Sequence, residues 1–124
     1  MANQAYEEGL KKLNMPAATD LSASQYCFCT MNGSGQVAVT GDGLKADGVL
    51  QDGQSVQGSP SQVAVAGVSR LRLGAGVTAG MYLASDSTGR GVQAGTGDKI
   101  MGRAMADGSA DSVGCILLQV QGSN

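Results

Sequence analysis

A chain of 124 residues with 20 glycines, no histidine, no tryptophan and 3% aromatic residues is poorly equipped for catalysis. Imidazole is the side chain most often used for acid–base chemistry near neutral pH, so its absence argues against an enzyme and favours a structural or binding module. The net charge of −2, without any Lys/Arg cluster, disfavours nucleic acid as a partner. The length predicts one compact domain, and the shortage of large aromatic side chains favours oligomerisation as a source of buried surface.

The sequence also lacks the features of a membrane or secreted protein. No apolar run approaches the ~20 residues that span a bilayer. The first eight residues have neither the basic nor the apolar region of a secretory signal, and three cysteines are an odd number for a disulfide framework. These observations predict a protein that is made and kept in a reducing cytoplasm, without a membrane partner.

The first 23 residues differ in pattern from the rest and predict an N-terminal arm (1–23) that precedes a β-rich domain (24–124). Within the arm, Tyr6, Leu10 and Leu13 have the i, i+4, i+7 spacing of one helical face. Two acid-first Glu–Lys pairs at i, i+4 support the same interpretation. The pattern therefore predicts a helix in this segment.

The predicted helix covers about residues 3–14, is weakened by Gly9 and ends before Pro16. A helix of this length is marginal in isolation. Two behaviours stay open at this point: an arm that becomes ordered only when it docks on a partner, or a frayed terminus.

From Ser24 onward the hydrophobic period changes from 3.6 to 2, which is typical of short strands. Asn-Gly and Asp-Gly pairs separate these segments and predict tight turns. Strands at intervals of about ten residues predict an all-β fold, a small compact β-barrel or β-sandwich, with its last two strands forming a hairpin. The predicted strands are residues 26–29, 36–40, 62–66, 70–73, 81–84, 91–94, 100–105 and 113–120.

Cys27 and Cys29 are the first candidates for a chemical site, because residues two apart on a strand share a face. A structural zinc needs four Cys or His ligands, and the chain offers three thiols and no imidazole. A redox pair is more often spaced C-x-x-C. The pattern favours small buried thiols that fill a core beside Phe28.

The other candidates also indicate turns. The glycine-rich runs 74–80 and 95–99 lack the dinucleotide and Walker fingerprints of phosphate-binding loops. Asp42, Asp47 and Asp52 are spaced by five, unlike calcium-binding loops, and type I′ turns explain them. The remaining acids beyond residue 40 also lie in turn signals, and the serines have no histidine partner. The sequence predicts no catalytic, cofactor-binding or metal-ligating residue.

Two blocks of the chain, residues 61–92 and 99–118, resemble the small capsid decoration (cement) proteins of tailed bacteriophages. In that family a V-x-V-x-G-v strand is followed by a G-x-x-v-x-x-G turn and a v-Y-x-d-s-x-G-x-v hairpin. A G-x-A-l strand and a final v-x-v-l-l strand close the domain. The matching segments, in the same order, are residues 63–68, 74–80, 81–92, 102–105 and 113–118.

The resemblance implies a β-tulip-like domain that binds the outside of a phage head and stabilises the expanded shell. It further implies the major capsid protein as the partner, homotrimers at local three-fold positions, a place on the virion exterior, and no cofactor or small-molecule substrate. Related decoration proteins often grip the shell with an N-terminal arm. The arm residues Tyr6, Leu10, Leu13 and Met15 are accordingly expected to contact the capsid or a neighbouring protomer.

Other functions stay open on the sequence. Turn-rich β chains also serve as fibre bases and tail-associated modules of phages, and nothing in the sequence separates these roles. A carbohydrate-binding or cell-surface module is disfavoured, because sugar sites generally use exposed aromatic platforms and this chain has three tyrosines and one phenylalanine. An enzyme is the least favoured of the alternatives.

Overall fold

The computed structural model describes residues 7–119, which form nine strands of one strongly curled antiparallel sheet, a half-barrel without helices. The predicted all-β fold is confirmed. The order across the sheet is β3-β2-β4-β5-β9-β8-β6-β7, and β1 pairs with β5. The strands are β1 (Glu8–Pro16), β2 (Phe28–Met31), β3 (Val37–Val39), β4 (Gly48–Leu50), β5 (Pro60–Arg72), β6 (Tyr82–Ser85), β7 (Gly91–Gln93), β8 (Gly102–Ala104) and β9 (Val113–Leu118).

Strand β5 is the longest element and organises the sheet. It pairs with β1 over Pro60–Val68, with β4 at Val63 and Ala64, and with β9 over Gly67–Arg72. Two segments that the sequence predicted as separate strands, 62–66 and 70–73, therefore belong largely to one element. Its second half alternates as predicted, with Leu71 buried between partly exposed arginines.

The core consists mainly of aliphatic side chains in two main clusters, with a third, minor cluster of Ala84, Ala94 and Ile100. The larger cluster surrounds Phe28 and includes Leu71, Leu83 and Ile116, and the smaller one lies near Leu50. Cys27 and Cys29 are buried in this interior, as predicted, and Cys115 is buried as well. Burial raises the pKa of Cys29 to about 12. A thiol with so high a pKa stays protonated and acts as a small apolar side chain.

The predicted helix over 3–14 is wrong, because its described part is extended and belongs to β1. Gly9 adopts φ +61, a left-handed conformation that interrupts a helix. The side chain of Glu7 contacts Arg70 at 3.5 Å across the β1–β5 pair. A marginal helix loses to a strand whose backbone groups are satisfied by an available edge of β5.

Three smaller predictions also need correction. The pair Asp47-Gly48 was expected to form a turn, but Gly48 begins β4, where the backbone of Ala64 leaves no room for a side chain. Strand β2 begins at Phe28, two residues later than predicted, because Tyr26 has φ +63. Type I′ turns at the three evenly spaced aspartates are wrong as well, since such turns need positive φ at both central residues and none of these aspartates has it.

The residues after β1 return to the interior. Ala17 and Leu21 are buried in the smaller core cluster, and Ala17 forms a parallel bridge with Val37. The division of the chain into an arm (1–23) and a domain (24–124) stays a prediction.

Candidate interaction surfaces

Most turn carboxylates are engaged with the backbone. Asp47 accepts from the N–H of Met31, Asp52 from that of Gln62 and Asp107 from that of Ala79, at 2.7–2.9 Å. These bonds fix loops against strands. Among residues 7–119 there is no group of three or more His, Cys, Asp or Glu side chains that could hold a metal ion.

Asp86 is the most heavily bonded of these acids. It accepts backbone N–H bonds from Thr88 and Arg90 and a side-chain bond from Arg90 Nε at 3.0 Å. Burial raises the pKa of its carboxyl, but these hydrogen bonds and the Arg90 charge outweigh burial and lower it. The ionised Asp86 carboxylate therefore stabilises the hairpin between β6 and β7.

Three concavities of the described residues differ in size and in exposure to solvent. A partly open cavity of about 30 Å³ lies between Phe28 and Met101, which is space for about one water molecule. Two larger concavities are open to solvent, one beside β1 and the other beside β8. The surfaces around these two grooves are the candidates for function.

The first candidate is the β1 surface, formed by β1 and the turn that follows β4. Strand β1 pairs with β5 alone among the described residues, so its other edge is unpaired. Leu13 is 48% exposed although it lies opposite the fully buried Val63. A long exposed edge strand with an apolar side chain is a feature that monomeric proteins usually avoid.

A groove of about 260 Å³ lies at the end of β1, lined by Met15, Pro16, Gly58 and Pro60 among others. Two backbone hydrogen bonds position the turn that forms its far side: Gly58 N–H to the Ala17 carbonyl, at 2.8 Å, and Ala17 N–H to the Ser59 carbonyl, at 3.0 Å. The groove begins at Asn14, the residue after Leu13, so the groove and Leu13 are neighbours along β1.

The predicted arm residues are only partly brought together. Tyr6 lies outside the described residues. Leu10 and Leu13 would share a face in a helix, whereas the strand register aligns Leu13 with Met15, opposite Val63 and Ser61. Met15 packs against the smaller core cluster and Leu10 is half-buried. Contacts of these side chains with a capsid or another protomer stay a prediction.

The second candidate, which the sequence did not indicate, is the β8 surface. Tyr82, Arg103 and Leu117 lie directly opposite one another on β6, β8 and β9 and therefore share one face of the sheet. The guanidinium of Arg103 lies over the Tyr82 ring, 5.1 Å from its centroid. Neither the short strand β8 nor the neighbouring Met105 carries a sequence signal that would have indicated this surface.

The part of the chain that the structure describes contains no helix that could serve as a transmembrane span. No protein-family model and no curated protein sequence matches the chain. Among solved structures, the fold is similar to the N base of the head fiber protein gp8.5 of bacteriophage phi29, with a TM-score of 0.71 and 12% sequence identity. The match covers 89% of this chain and 94% of that one, so the two share a fold over nearly their whole lengths.

Proposed function

We propose that this protein is a non-enzymatic structural component of a tailed-phage virion, which binds the outer surface of the capsid and stabilises the expanded shell. The observation that carries the proposal is the fold shared with the base of a phage head fiber over nearly all of both chains. The sequence resemblance of residues 61–92 and 99–118 to capsid decoration proteins points in the same direction.

The β1 surface suits a large, flat partner such as the major capsid protein. Its exposed Leu13 and the groove beside Pro16 and Pro60 offer apolar area that is still in contact with water. Lys11 and Lys12 are also exposed on β1, and neither forms a salt bridge with any residue of the described chain. An apolar area surrounded by a polar, solvent-exposed rim is typical of a surface that binds another protein.

Copies of the protein are expected to act as trimers at local three-fold positions of the shell. A trimer presents three β1 surfaces at once, and linked contacts raise the total affinity without requiring any single contact to be strong. Such a non-covalent clamp would hold neighbouring capsomers together where the expanded shell is under pressure from packaged DNA.

The proposal is tested by mixing the purified protein with expanded, undecorated heads and counting bound copies by cryo-electron microscopy. We expect saturation at three copies per local three-fold position. Leu13→Lys should lower occupancy at least tenfold, whereas Met31→Lys, at an equally exposed hydrophobic position on β2, should leave occupancy unchanged. Full occupancy by the Leu13→Lys protein would contradict the role of β1.

A second candidate function is the base of a head fiber, and the fold likeness specifically favours it. In that case the domain would attach a longer appendage to the head. Labelling the protein on intact virions distinguishes the two functions, since a decoration protein covers all equivalent capsid positions and a fiber base marks only the points where fibers project.

A further inference from the structure

The β8 surface contains an arginine that is oriented but has no acidic partner among the described residues. Arg103 Nε donates to the Gly80 carbonyl at 3.0 Å, and the guanidinium rests over Tyr82. Within residues 7–119 the terminal nitrogens of Arg103 form no hydrogen bond and no salt bridge. Because two contacts already fix the guanidinium plane, binding a carboxylate would cost little additional side-chain entropy.

An apolar groove of about 250 Å³ lies next to this guanidinium. Its walls include Ala79, Ala104, Met105 and Leu117. This volume is below the roughly 300–1,000 Å³ of pockets that hold small-molecule ligands. The combination fits one large aliphatic side chain with a carboxylate one or two residues away, presented by a protein.

The same chain carries a loop with that composition. Leu44 is 61% exposed, the highest fraction among the large exposed hydrophobic residues of the described chain, and Asp42 lies two residues before it. Asp42 forms no salt bridge or hydrogen bond with any residue between 7 and 119. One molecule therefore exposes both the groove beside Arg103 and a loop whose leucine and carboxylate are complementary to it.

The loop is held in a defined position by the backbone. Leu44 N–H bonds the Gly41 carbonyl at 3.2 Å, and the N–H of Gly43 bonds the carbonyl of Ser85 at 2.9 Å. Ser85 ends β6 whereas Tyr82 begins it, so the loop and the Arg103 groove are at opposite ends of this strand. The loop of one copy consequently does not occupy its own groove.

We propose that the loop 41–44 of one copy docks into the Arg103 groove of a second copy of this chain, with Leu44 in the groove and the Asp42 carboxylate on the guanidinium. The two surfaces differ, so the contact is head-to-tail and closes into a ring when the rotation between copies permits. This inference rests on the proposed function, because the contact it describes is the one between copies that assembly on the shell requires.

Charge reversal at the two positions tests the contact, with self-association measured by sedimentation equilibrium. Arg103→Asp and Asp42→Arg should each weaken association about 100-fold, because each places like charges together. The double variant, which restores an opposite pair, should recover to within about tenfold of the unmodified protein. Lys11→Asp and Glu8→Arg make the same changes in net charge on β1 and should leave association unchanged.

The apolar half of the contact is tested separately. Leu44→Ser should weaken association at least tenfold, whereas Val56→Ser, at another exposed hydrophobic position, should not. Thermal unfolding of each variant establishes that it is folded. A protein that remains monomeric at the highest attainable concentration, or folded single variants without recovery in the double variant, would overturn the inference.

The outcomes separate this inference from the proposed function. Copies that associate through the Arg103 groove but do not bind any expanded head would contradict the proposed function and leave the contact standing. A protein that saturates heads while both charge reversals leave self-association unchanged would contradict the contact alone.

Discussion

Strands β1 and β5 lie side by side, and they are the two longest strands of the sheet, yet their environments are opposite. In β5, Val63, Ala64 and Leu71 are fully buried, and strands flank it on both edges. In β1 nearly every side chain is exposed, and within residues 7–119 only one of its edges is paired. The same secondary structure is therefore part of the core in one strand and a surface in the other, so changes in β5 should affect folding and changes in β1 should affect binding.

The largest expected effect comes from shortening the same side chain in both strands. Leu71→Ala removes a fully buried side chain and should cost about 4 kcal/mol of unfolding free energy, whereas Leu13→Ala, half exposed on β1, should cost about 0.5 kcal/mol. Urea denaturation of the two variants measures the difference. Similar losses of unfolding free energy in both variants would show that β1 belongs to the cooperative core, which would contradict the contrast between a core strand and a surface strand.

A second change tests how β1 is attached. Gly67 has φ +97, and a Cβ there would collide with the Gly9 carbonyl of β1 and lie 2.8 Å from the Glu8 carbonyl. Gly67→Ala should cost about 3 kcal/mol and speed hydrogen exchange of the β1 amides. Gly58→Ala is the control, since Gly58 has φ +83 with open space around it and should cost about 1 kcal/mol. Unchanged exchange in β1 would argue against this close approach.

Acid stability should depend in part on the hairpin between β6 and β7, in the body of the fold. The folded pKa of Asp86 is lowered below its ordinary value of 3.8, so its bonded carboxylate contributes stability above that pH, and the contribution is lost as pH falls through the folded pKa. Unfolding free energy measured from pH 6 downward should fall below about pH 4. In Asp86→Asn this fall should be smaller by about 1 kcal/mol.

The smallest expected effect concerns the reactivity of thiols in the core and on β1, with little change in stability. Burial raises the pKa of Cys27 and, to about 12, that of Cys29, so the native protein should not react with a disulfide reagent at pH 8. A thiol placed on β1 by Leu13→Cys should react at once, at one equivalent per chain, while the native thiols react only after unfolding. Rapid labelling of the unmodified protein would contradict the burial of its three cysteines.

The sequence predicted strands and turns best where the signal was an alternating hydrophobic pattern or a local turn motif. The alternation around Leu71 and the terminal hairpin of β8 and β9 were both predicted, because the pattern of period 2 and the Asp-Gly turn reflect local backbone geometry. The burial of Cys27 and Cys29 followed from the lack of metal ligands. The strand β4 was missed because its three residues are all buried and therefore do not alternate, and because its first residue, Gly48, belongs to an Asp-Gly pair that predicted a turn. Its pairing partners come from distant segments.

The candidate surfaces were predicted less well than the fold. Leu13 was chosen for helical spacing and does lie on an exposed edge strand, but its alignment with Met15 comes from the strand register with β5. Arg103 and Tyr82 are 21 positions apart in the chain, and nothing in either neighbourhood indicates that β6 and β8 place them in contact. Such pairs depend on strand order, which single-sequence patterns do not specify.

By itself the sequence determined the composition of the molecule: an aromatic-poor, glycine-rich chain that folds through short strands and tight turns, with no imidazole for acid–base chemistry. Only the tertiary structure decided that residues 8–16 form a strand. A helix of that length is marginal alone, and β5 offers backbone partners that a local pattern cannot reveal. The tertiary structure likewise decided which exposed side chains meet, because the curl of the sheet, and not the chain order, sets which residues become neighbours on its surface.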